Sequence, residues 1–384
     1  MKKTFIAVAA LSALAGSVQA QSTVTIYGVL DGNFGSFKSN QVDGASIQNL
    51  NQTKIDSNGL SGSRWGIRFS EDLGGGLSAI GNLESGFSLD TGTSGQGGRL
   101  FGRRAIVGLA SSSMGTLTLG RNSTSYNDVA YDHSMMVTSP FDPSNNSIST
   151  SAATAATLNT LAGKAAMLNH SGSSVGAQLT WLGFNNRFDN SVKYATPNLG
   201  GFTGSFTYGV GEDKTTAQPA SKSTSAHLKY TNGPLVISGG YQSEGGAINQ
   251  TTGAKQALQN TIFSLAYDFK VVKVGLGLNR GQYKGVTATG GDLAAQNEFS
   301  LTAAVPLGAL TLAAGYAQSK GNDLGKSSGF GAHALYALSK RTVLYVGGVS
   351  TRNYDKVAAA ARAQAPLSNI GRTVVYAAGI NHSF

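Results

Sequence analysis

The chain has 384 residues and a formal net charge of +10 at pH 7. Only 12% of the residues are Asp, Glu, Lys or Arg, about half the share that is usual for a soluble globular protein. Cysteine is absent, which excludes a disulfide scaffold, a thiolate metal site, an iron–sulfur cluster and a cysteine nucleophile.

The first twenty residues have the pattern of a secretory signal peptide. Lys2 and Lys3 give a basic start, residues 5–14 form an apolar run, and the segment ends in a small-x-small pattern at Ala20. The apolar run is too short to cross a bilayer as a helix. We therefore expect a signal peptide at 1–20, cleavage after Ala20, and one mature domain at 21–384.

The mature chain is dominated by alternating sequence patterns. It contains no run of about eighteen apolar residues, so no transmembrane helix is predicted. Many segments of about ten residues instead alternate apolar with polar or very small side chains, which is the period of a β-strand. The clearest segments are 263–269, 272–278, 310–316 and 374–384. Such a face could meet the core of a soluble sandwich, or lipid around a barrel.

Short turns and long polar connections alternate along the chain. Short turns are predicted at 71–76, 111–115, 197–201, 231–234, 270–271, 306–308 and 339–341. Long loops are predicted at 38–61, 88–100, 122–189, 212–223, 243–259, 284–294, 319–328 and 353–369. This alternation predicts an all-β fold, a transmembrane antiparallel up-and-down barrel of about 16 strands. A barrel of that size encloses an aqueous channel.

Aromatic residues are frequent near the predicted strand ends, where they could form girdles at the two membrane interfaces. Examples are Tyr27, Tyr194, Tyr241, Tyr336 and Tyr345. Ordinary strand propensity would also favour tyrosine at these positions. The pattern therefore supports the barrel mainly in combination with the signal peptide and the turns.

Several short motifs then occur in a fixed order. They are STVTIYGVLD at 22–31, SRWGIR at 63–68, EDLGGGL at 71–77, LFGRRA at 100–105, GTLTLGR at 115–121, NSVKY at 190–194, LSKRT at 338–342 and GINHSF at 379–384. In their number and order these motifs resemble the trimeric general-diffusion porins of Gram-negative outer membranes, in the β-proteobacterial branch. The resemblance covers the whole mature chain.

The resemblance implies sixteen strands, a homotrimer and a long third loop folded into the pore. It also implies that Tyr376 and Phe384 belong to an assembly signal that the barrel-assembly machinery reads. Residues 122–189 are long for a third loop, and weak alternation at 167–170 and 175–182 leaves open an extra hairpin and an eighteen-stranded, more selective channel. We favour one elaborated loop, because 190–194 is similar to the family's return strand.

A passive pore needs a constriction with an electric field across it. Arg64 and Arg68 share one strand face, and an arginine facing lipid costs about 2–4 kcal/mol at the midplane, so both are expected in the lumen. Arg103 and Arg104 are adjacent, so strict alternation cannot turn both inward, and one would lie at an interface or on a bulge. The predicted basic wall comprises Arg64, Arg68, Arg103, Arg104, Arg121 and Lys193.

The opposing acidic side is expected on the third loop, at Asp128, Asp132 and Asp142. A basic strip facing these acids would create a transverse field that aligns polar solutes. The alternative is that they are solvated loop charges in structural salt bridges. The net charge stays positive after cleavage and suggests mild anion selectivity, although outer-loop lysines and arginines could instead contact lipopolysaccharide phosphates.

Signals for other functions are weak. Gly325-Lys326-Ser327 lacks the earlier glycine of a phosphate-binding loop, since position 320 is a lysine. The histidines lack metal-ligand spacing, and no basic cluster or helix supports nucleic-acid binding. We predict no cofactor, no metal and no catalytic residues.

The sequence therefore predicts a non-enzymatic porin of the Gram-negative outer membrane. It would let ions and small hydrophilic solutes diffuse passively, with outer-membrane lipid and lipopolysaccharide around it. The alternatives are a substrate-selective channel for a sugar, organic acid or phosphate and, from other classes, a barrel enzyme or an adhesin.

Overall fold

The computed structural model describes residues 22–43, 46–136, 139–145, 147–148, 180–216, 218–248, 252–287, 289–352, 354–356 and 372–384. The predicted signal peptide at 1–20 lies outside these residues. In the described part of the chain, no helix is long and apolar enough to cross a membrane.

Nearly all of the described regular structure is β-strand. The strands are β1 (Thr23–Asp43), β2 (Ser46–Ser57), β3 (Arg64–Gly74), β4 (Leu77–Gly86), β5 (Arg104–Ser111), β6 (Gly115–Ser123), β7 (Ser147–Ile148), β8 (Phe184–Asn185), β9 (Arg187–Ala195), β10 (Phe202–Val210), β11 (Lys222–Asn232), β12 (Leu235–Ile248), β13 (Lys255–Asp268), β14 (Lys273–Lys284), β15 (Gln296–Leu307), β16 (Leu310–Gly321), β17 (Gly325–Ala337), β18 (Thr342–Arg352) and β19 (Arg372–Ser383). One short helical turn, α1, spans Gly95–Gly98.

The strands close into a single ring of antiparallel neighbours. β1 pairs with β19 at one edge, with Asp31 opposite Asn381. On its other edge β1 pairs first with β3, Ile26 facing Ile67, and then with β2, Asn33 facing Asp56. β2 and β3 are thus two halves of one interrupted strand. With the two-residue strands β7 and β8 outside the ring, the barrel has sixteen strands, as predicted.

The third long connection adds no strand to the barrel. β6 pairs directly with β9, with Thr118 opposite Lys193. Residues 167–170 and most of 175–182 lie outside the described residues, but any hairpin there cannot stand between these two hydrogen-bonded strands. The eighteen-stranded alternative is therefore wrong, because the segment between β6 and β9 adds no strand to the barrel.

All seven predicted short turns join neighbouring strands, the one at 306–308 lying slightly later, between Leu307 and Leu310. The predicted loop at 38–61 is wrong in extent, because β1 runs to Asp43 and β2 fills Ser46–Ser57. The loops predicted at 243–259 and 319–328 are also too long, because β12 and β13 extend into the first and β16 and β17 into the second. A polar composition does not prevent strand pairing, since the ladder needs only backbone groups.

Side chains alternate between two environments along the ring. Apolar residues such as Ile26, Phe206, Leu301 and Phe330 are exposed on the outer face, where a membrane supplies the apolar partner that the chain lacks. Serine and threonine side chains and many charged ones occupy the inner positions. Tyr194, Tyr241 and Tyr336 are exposed on the outer face, as residues of a girdle would be. The girdle prediction is wrong for Tyr27 and Tyr345, whose hydroxyls donate to the inward carboxylates of Glu84 and Asp31.

The chain terminus completes the barrel. The main chain of Phe384 exchanges two hydrogen bonds with Gly28, N–O 3.1 and 3.2 Å, and the phenyl ring lies against Gly28, where a side chain would collide with it. Tyr376 and Phe384 are both exposed on the outer face. The two predicted assembly-signal residues therefore share one surface of the folded barrel.

Candidate pore constriction

Glu84 is the centre of the first group of charges on the inner wall. β4 carries it opposite Gly66 of β3, and Tyr27 donates its hydroxyl to the Glu84 carboxylate at 2.8 Å. Arg103 Nε is 2.7 Å and Arg64 Nε 3.8 Å from this carboxylate. One inward acid is thus shared between two arginines.

Arg68 and Arg104 extend the same wall without a carboxylate partner. The Arg68 guanidinium lies 4.8 Å from the centre of the Tyr27 ring, and Arg104 Nη2 donates to Ser123 Oγ at 2.9 Å. Among the described residues, neither Arg68 nor Arg104 forms an ion pair. Arg103 lies just before β5 and Arg104 begins it. Alternation therefore does not apply between them, and both contact inward groups.

A second acid, Asp189, is shared between Arg99 and Arg121. Arg99 Nη1 is 2.8 Å from its carboxylate, and Arg121 forms a close ion pair with it. The ladder between β6 and β9 shifts register at Gly120, whose φ is 120°, and this bulge turns Arg121 inward. Arg121 Nε also donates to the Gly102 carbonyl at 2.7 Å.

Arg187 is a basic residue that the sequence reasoning missed. Its Nε donates to the Arg103 carbonyl at 2.5 Å and its Nη1 to Asn186 at 2.8 Å. The prediction also missed Glu84 and Asp189. For Glu84 a signal existed, because it shares its parity with the polar Asn82, whereas Arg187 and Asp189 were hidden at the end of a long polar segment.

The acids of the third loop pair with lysines of the adjacent wall. Asp128 lies 2.6 Å from Lys193 Nζ, and Asp132 lies 2.8 Å from Lys229 Nζ. Asp142 is only 3% exposed and accepts hydrogen bonds from Ser134 and Ser144 within the loop. The prediction put all three on the acidic side of the pore, but the structure buries Asp142 away from water.

The described loop residues cover the other part of the inner wall. Tyr126 donates its hydroxyl to Asn279 at 2.9 Å. The amides of Leu182 and Asn185 donate to the carboxylates of Glu298 and Glu244, at 2.7 and 2.8 Å. These bonds attach both ends of the loop to β12, β14 and β15. The described loop residues therefore line the wall from β10 to β18 rather than the arginine wall.

Close packing also fixes the described loop residues around His133 and Phe141. Phe141 is fully buried against β17 and β18, and a Cβ at Gly331 would overlap its carbonyl oxygen. The His133 ring stacks on Trp181, with 5.1 Å between ring centres. Burial lowers the pKa of His133, although Asp142 and Asp132 partly oppose this. The histidine is therefore neutral at neutral pH.

The interruption between β2 and β3 forms an inward segment at residues 58–63. Asp31, which is fully buried, accepts hydrogen bonds from the amides of Gly59, Leu60 and Ser61 at 2.8–3.0 Å. Tyr345 and Asn381 donate to the same carboxylate. Leu60 packs into the cluster that holds Phe141. Asp31 thus holds a second segment that supports the third loop.

The chemistry of this interior is that of a charged, water-accessible wall. In the described part of the chain, no group of three or more His, Cys, Asp or Glu side chains could hold a metal ion. The charged groups form fixed electrostatic features along the barrel interior, which is the arrangement found in the constrictions of channels.

Comparisons with known proteins identify the family. A sequence model of Gram-negative porins matches residues 7–356. An outer membrane porin protein of Bordetella pertussis is 31% identical, with 92% of this chain and 95% of that protein covered.

Solved structures agree. An anion-selective porin from Comamonas acidovorans superposes with a TM-score of 0.71 and 25% identity, covering 95% of this chain and 100% of that one. A trimer form of OmpT from Vibrio cholerae has the same fold, with a TM-score of 0.57, 15% identity and coverage of 94% and 99%. The chain therefore belongs to the Gram-negative porins and is a channel protein of the outer membrane.

Proposed function

We propose that this porin lets small hydrophilic solutes and ions diffuse passively and conducts anions better than cations. The observation that carries the proposal is the surplus of cations on the inner wall. Glu84 and Asp189 are each shared between two arginines, while Arg68, Arg104 and Arg187 form no ion pair among the described residues. A positive wall attracts anions into the pore and repels cations.

The acids of the third loop do not oppose this preference for anions, because each one is paired or buried. Asp128 and Asp132 are paired with Lys193 and Lys229, and Asp142 is buried. The loop therefore adds little unpaired negative charge opposite the arginines. The anion-selective porin from Comamonas supports the same preference by analogy. Diffusion through such a wall requires no catalytic group, so we propose that the protein has no enzymatic activity.

The working unit is proposed to be a homotrimer, as in the trimer form of OmpT from Vibrio cholerae. Large apolar side chains exposed all around the barrel provide surface for both subunit contacts and lipid. We further propose that residues 1–20 are removed on export. The barrel-assembly machinery would then recognise Tyr376 and Phe384, whose side chains are exposed on the outer face.

The test is the reversal potential of the purified protein in a planar bilayer under a salt gradient. The wild-type potential should have the anion sign, and the double variant Arg68→Gln/Arg104→Gln should shift it toward zero or beyond. The control, Lys340→Gln/Arg341→Gln, removes the same charge from an exposed short turn. A wild-type potential of cation sign, or equal shifts in both variants, would overturn the proposal.

A further inference from the structure

The connection between β2 and β3 enters the barrel interior beside the arginine wall. Across the ladder to β1, Ser57 faces Gly32 and Arg64 faces Val29. The six residues 58–63 therefore stand opposite only two residues of β1, although regular antiparallel pairing matches residues one to one. The surplus residues leave the sheet and bend into the lumen. We call residues 58–63 the inner segment.

A buried carboxylate holds the inner segment in one conformation. Asp31 of β1 is fully buried and accepts hydrogen bonds from all three amides of residues 59–61, at 2.8–3.0 Å. The bend is closed at its ends, because Asn58 Oδ1 accepts a hydrogen bond from the Ser63 amide at 2.5 Å. Asn58 has a φ of 64°, a left-handed conformation that asparagine tolerates. The backbone of the inner segment is therefore fixed relative to β1.

The last part of the inner segment lies against two arginines of the wall. Arg64 Nη1 donates a hydrogen bond to the Gly62 carbonyl at 2.8 Å. A Cβ on Gly62 would stand 2.9 Å from Arg103 Nη1, so this guanidinium rests directly on the glycine. Arg64 and Arg103 are the two cations that share Glu84. The inner segment thus contacts both arginines of the Glu84 group.

The inner segment contacts the third loop on its other side. Leu60 packs into the buried cluster that contains Met136 and Phe141 of that loop. Leu60 is buried, whereas Gly62 is partly exposed. The inner segment therefore connects the packed loop with the arginine wall, and Asp31 holds the connection in place.

We propose that the inner segment positions the guanidinium groups of Arg64 and Arg103 and thereby sets how readily ions pass the pore, with Asp31 as the positioning residue. An unrestrained arginine samples many rotamers, whereas one that rests on a fixed backbone keeps its charge at one place. The field that a passing ion meets depends on its distance from those charges. The inference rests on the charged diffusion pore proposed above and names the element that places its charges.

Gly62→Ala tests this contact without changing any charge. Among the described residues, and apart from chain neighbours, the new Cβ would approach only Nη1 and Cζ of Arg103, at 2.9 and 3.7 Å. The end of a flexible side chain can move aside, so the variant should fold and displace the guanidinium toward the channel. The matched control is Gly239→Ala, whose Cβ would lie 3.6 Å from the Ile262 carbonyl oxygen.

The experiment is a double-mutant cycle on single-channel conductance and reversal potential, measured in planar bilayers under a salt gradient. The four proteins are the wild type, Gly62→Ala, Arg103→Gln and the double variant, and thermal unfolding verifies that each is folded. We expect Gly62→Ala to lower the conductance and to shift the reversal potential more than Gly239→Ala does. In the Arg103→Gln background, which lacks the guanidinium, Gly62→Ala should have no effect.

Asp31→Asn tests the positioning residue in the same two backgrounds. The new amide group cannot accept all the hydrogen bonds of residues 59–61, so the inner segment should come loose. Loss of the Asp31 charge alone would act equally with and without the Arg103 guanidinium, whereas an effect through the inner segment should be smaller in Arg103→Gln. Tyr345→Phe, which removes one donor to the same carboxylate, takes its place if Asp31→Asn does not fold.

The proposal is overturned if Gly62→Ala acts equally in both backgrounds or has no effect in either. Equal effects of Asp31→Asn in both backgrounds would overturn the role of Asp31. A wild-type potential of cation sign would contradict the proposed anion preference instead, because the coupling between Gly62 and Arg103 in conductance does not depend on that sign.

Discussion

The two parts of the barrel interior differ in the size of their inward side chains and in what covers them. On β14 and β17 inward positions include Gly275 and Gly331, where a Cβ would overlap loop carbonyl oxygens. The third loop packs onto this wall. On β3 and β5 the inward positions carry Arg64, Arg68 and Arg104, and the described residues of the third loop pack on the other wall. Small residues thus determine where the loop lies, and large basic residues remain where solutes pass.

The two walls are also stabilised by different interactions. The covered wall is stabilised by apolar burial around Phe141 and by hydrogen bonds from loop amides to Glu244 and Glu298. The open wall contains ion pairs that are partly exposed to water, and such pairs contribute little to stability. Changes in the covered wall should therefore alter stability and pore size, while changes in the open wall should alter selectivity.

The largest effect is expected from Gly331→Ala on the covered wall. The new methyl group would overlap the Phe141 carbonyl oxygen. It would therefore push the loop off the barrel wall. Overpacking of this kind costs about 3 kcal/mol at the upper end of its usual range. We expect a lower free energy of unfolding in urea and a changed single-channel conductance.

The matched control is Gly239→Ala, where the nearest atom to a new Cβ is the Ile262 carbonyl oxygen at 3.6 Å. This distance is an ordinary contact, so conductance should be unchanged. If both variants behave alike, close packing of the loop on Gly331 does not fix its position.

The next effect is a pH dependence that originates in the loop. Burial lowers the pKa of His133. As pH falls from 7 to 5, the unfolded chain takes up a proton on this histidine at its usual pKa, while burial disfavours protonation of the folded ring. The free energy of unfolding should therefore decrease toward acid pH, by at most about 2 kcal/mol.

The measurement is urea unfolding at several pH values for the wild type and for His133→Gln. The variant lacks the titrating ring, so its stability should vary less over this range. Parallel curves for the two proteins would mean that His133 does not contribute to the acid sensitivity.

The smallest effect is expected where the loop meets the open wall. Asp128→Asn removes the partner of Lys193, and because the pair is partly exposed, stability should change by less than about 1 kcal/mol. The unpaired lysine should make the reversal potential more anion-selective. Asp292→Asn, which releases Lys284 on an outer loop, is the control. An equal shift in both variants would show that the effect is not specific to the pore wall.

Local sequence patterns predicted the strands and turns well. Alternation places Arg64 and Arg68 on one face because successive side chains of a strand point to opposite sides. The pattern failed at 38–61, where polar residues form strand, since pairing depends on backbone groups. It also failed for Tyr27 and Tyr345, whose aromatic rings suggested a membrane interface but whose hydroxyls bond to inward carboxylates.

The sequence by itself determined the strand number, the turn positions, the outward apolar face and the inward direction of the strand arginines. These depend on neighbours along the chain. The tertiary structure alone decided that Asp128 pairs with Lys193, that Asp142 is buried, and that Arg187 and Asp189 join the arginine wall. Those contacts link residues that are far apart in the chain, and they exist only because closing the ring and packing the loop brings them together.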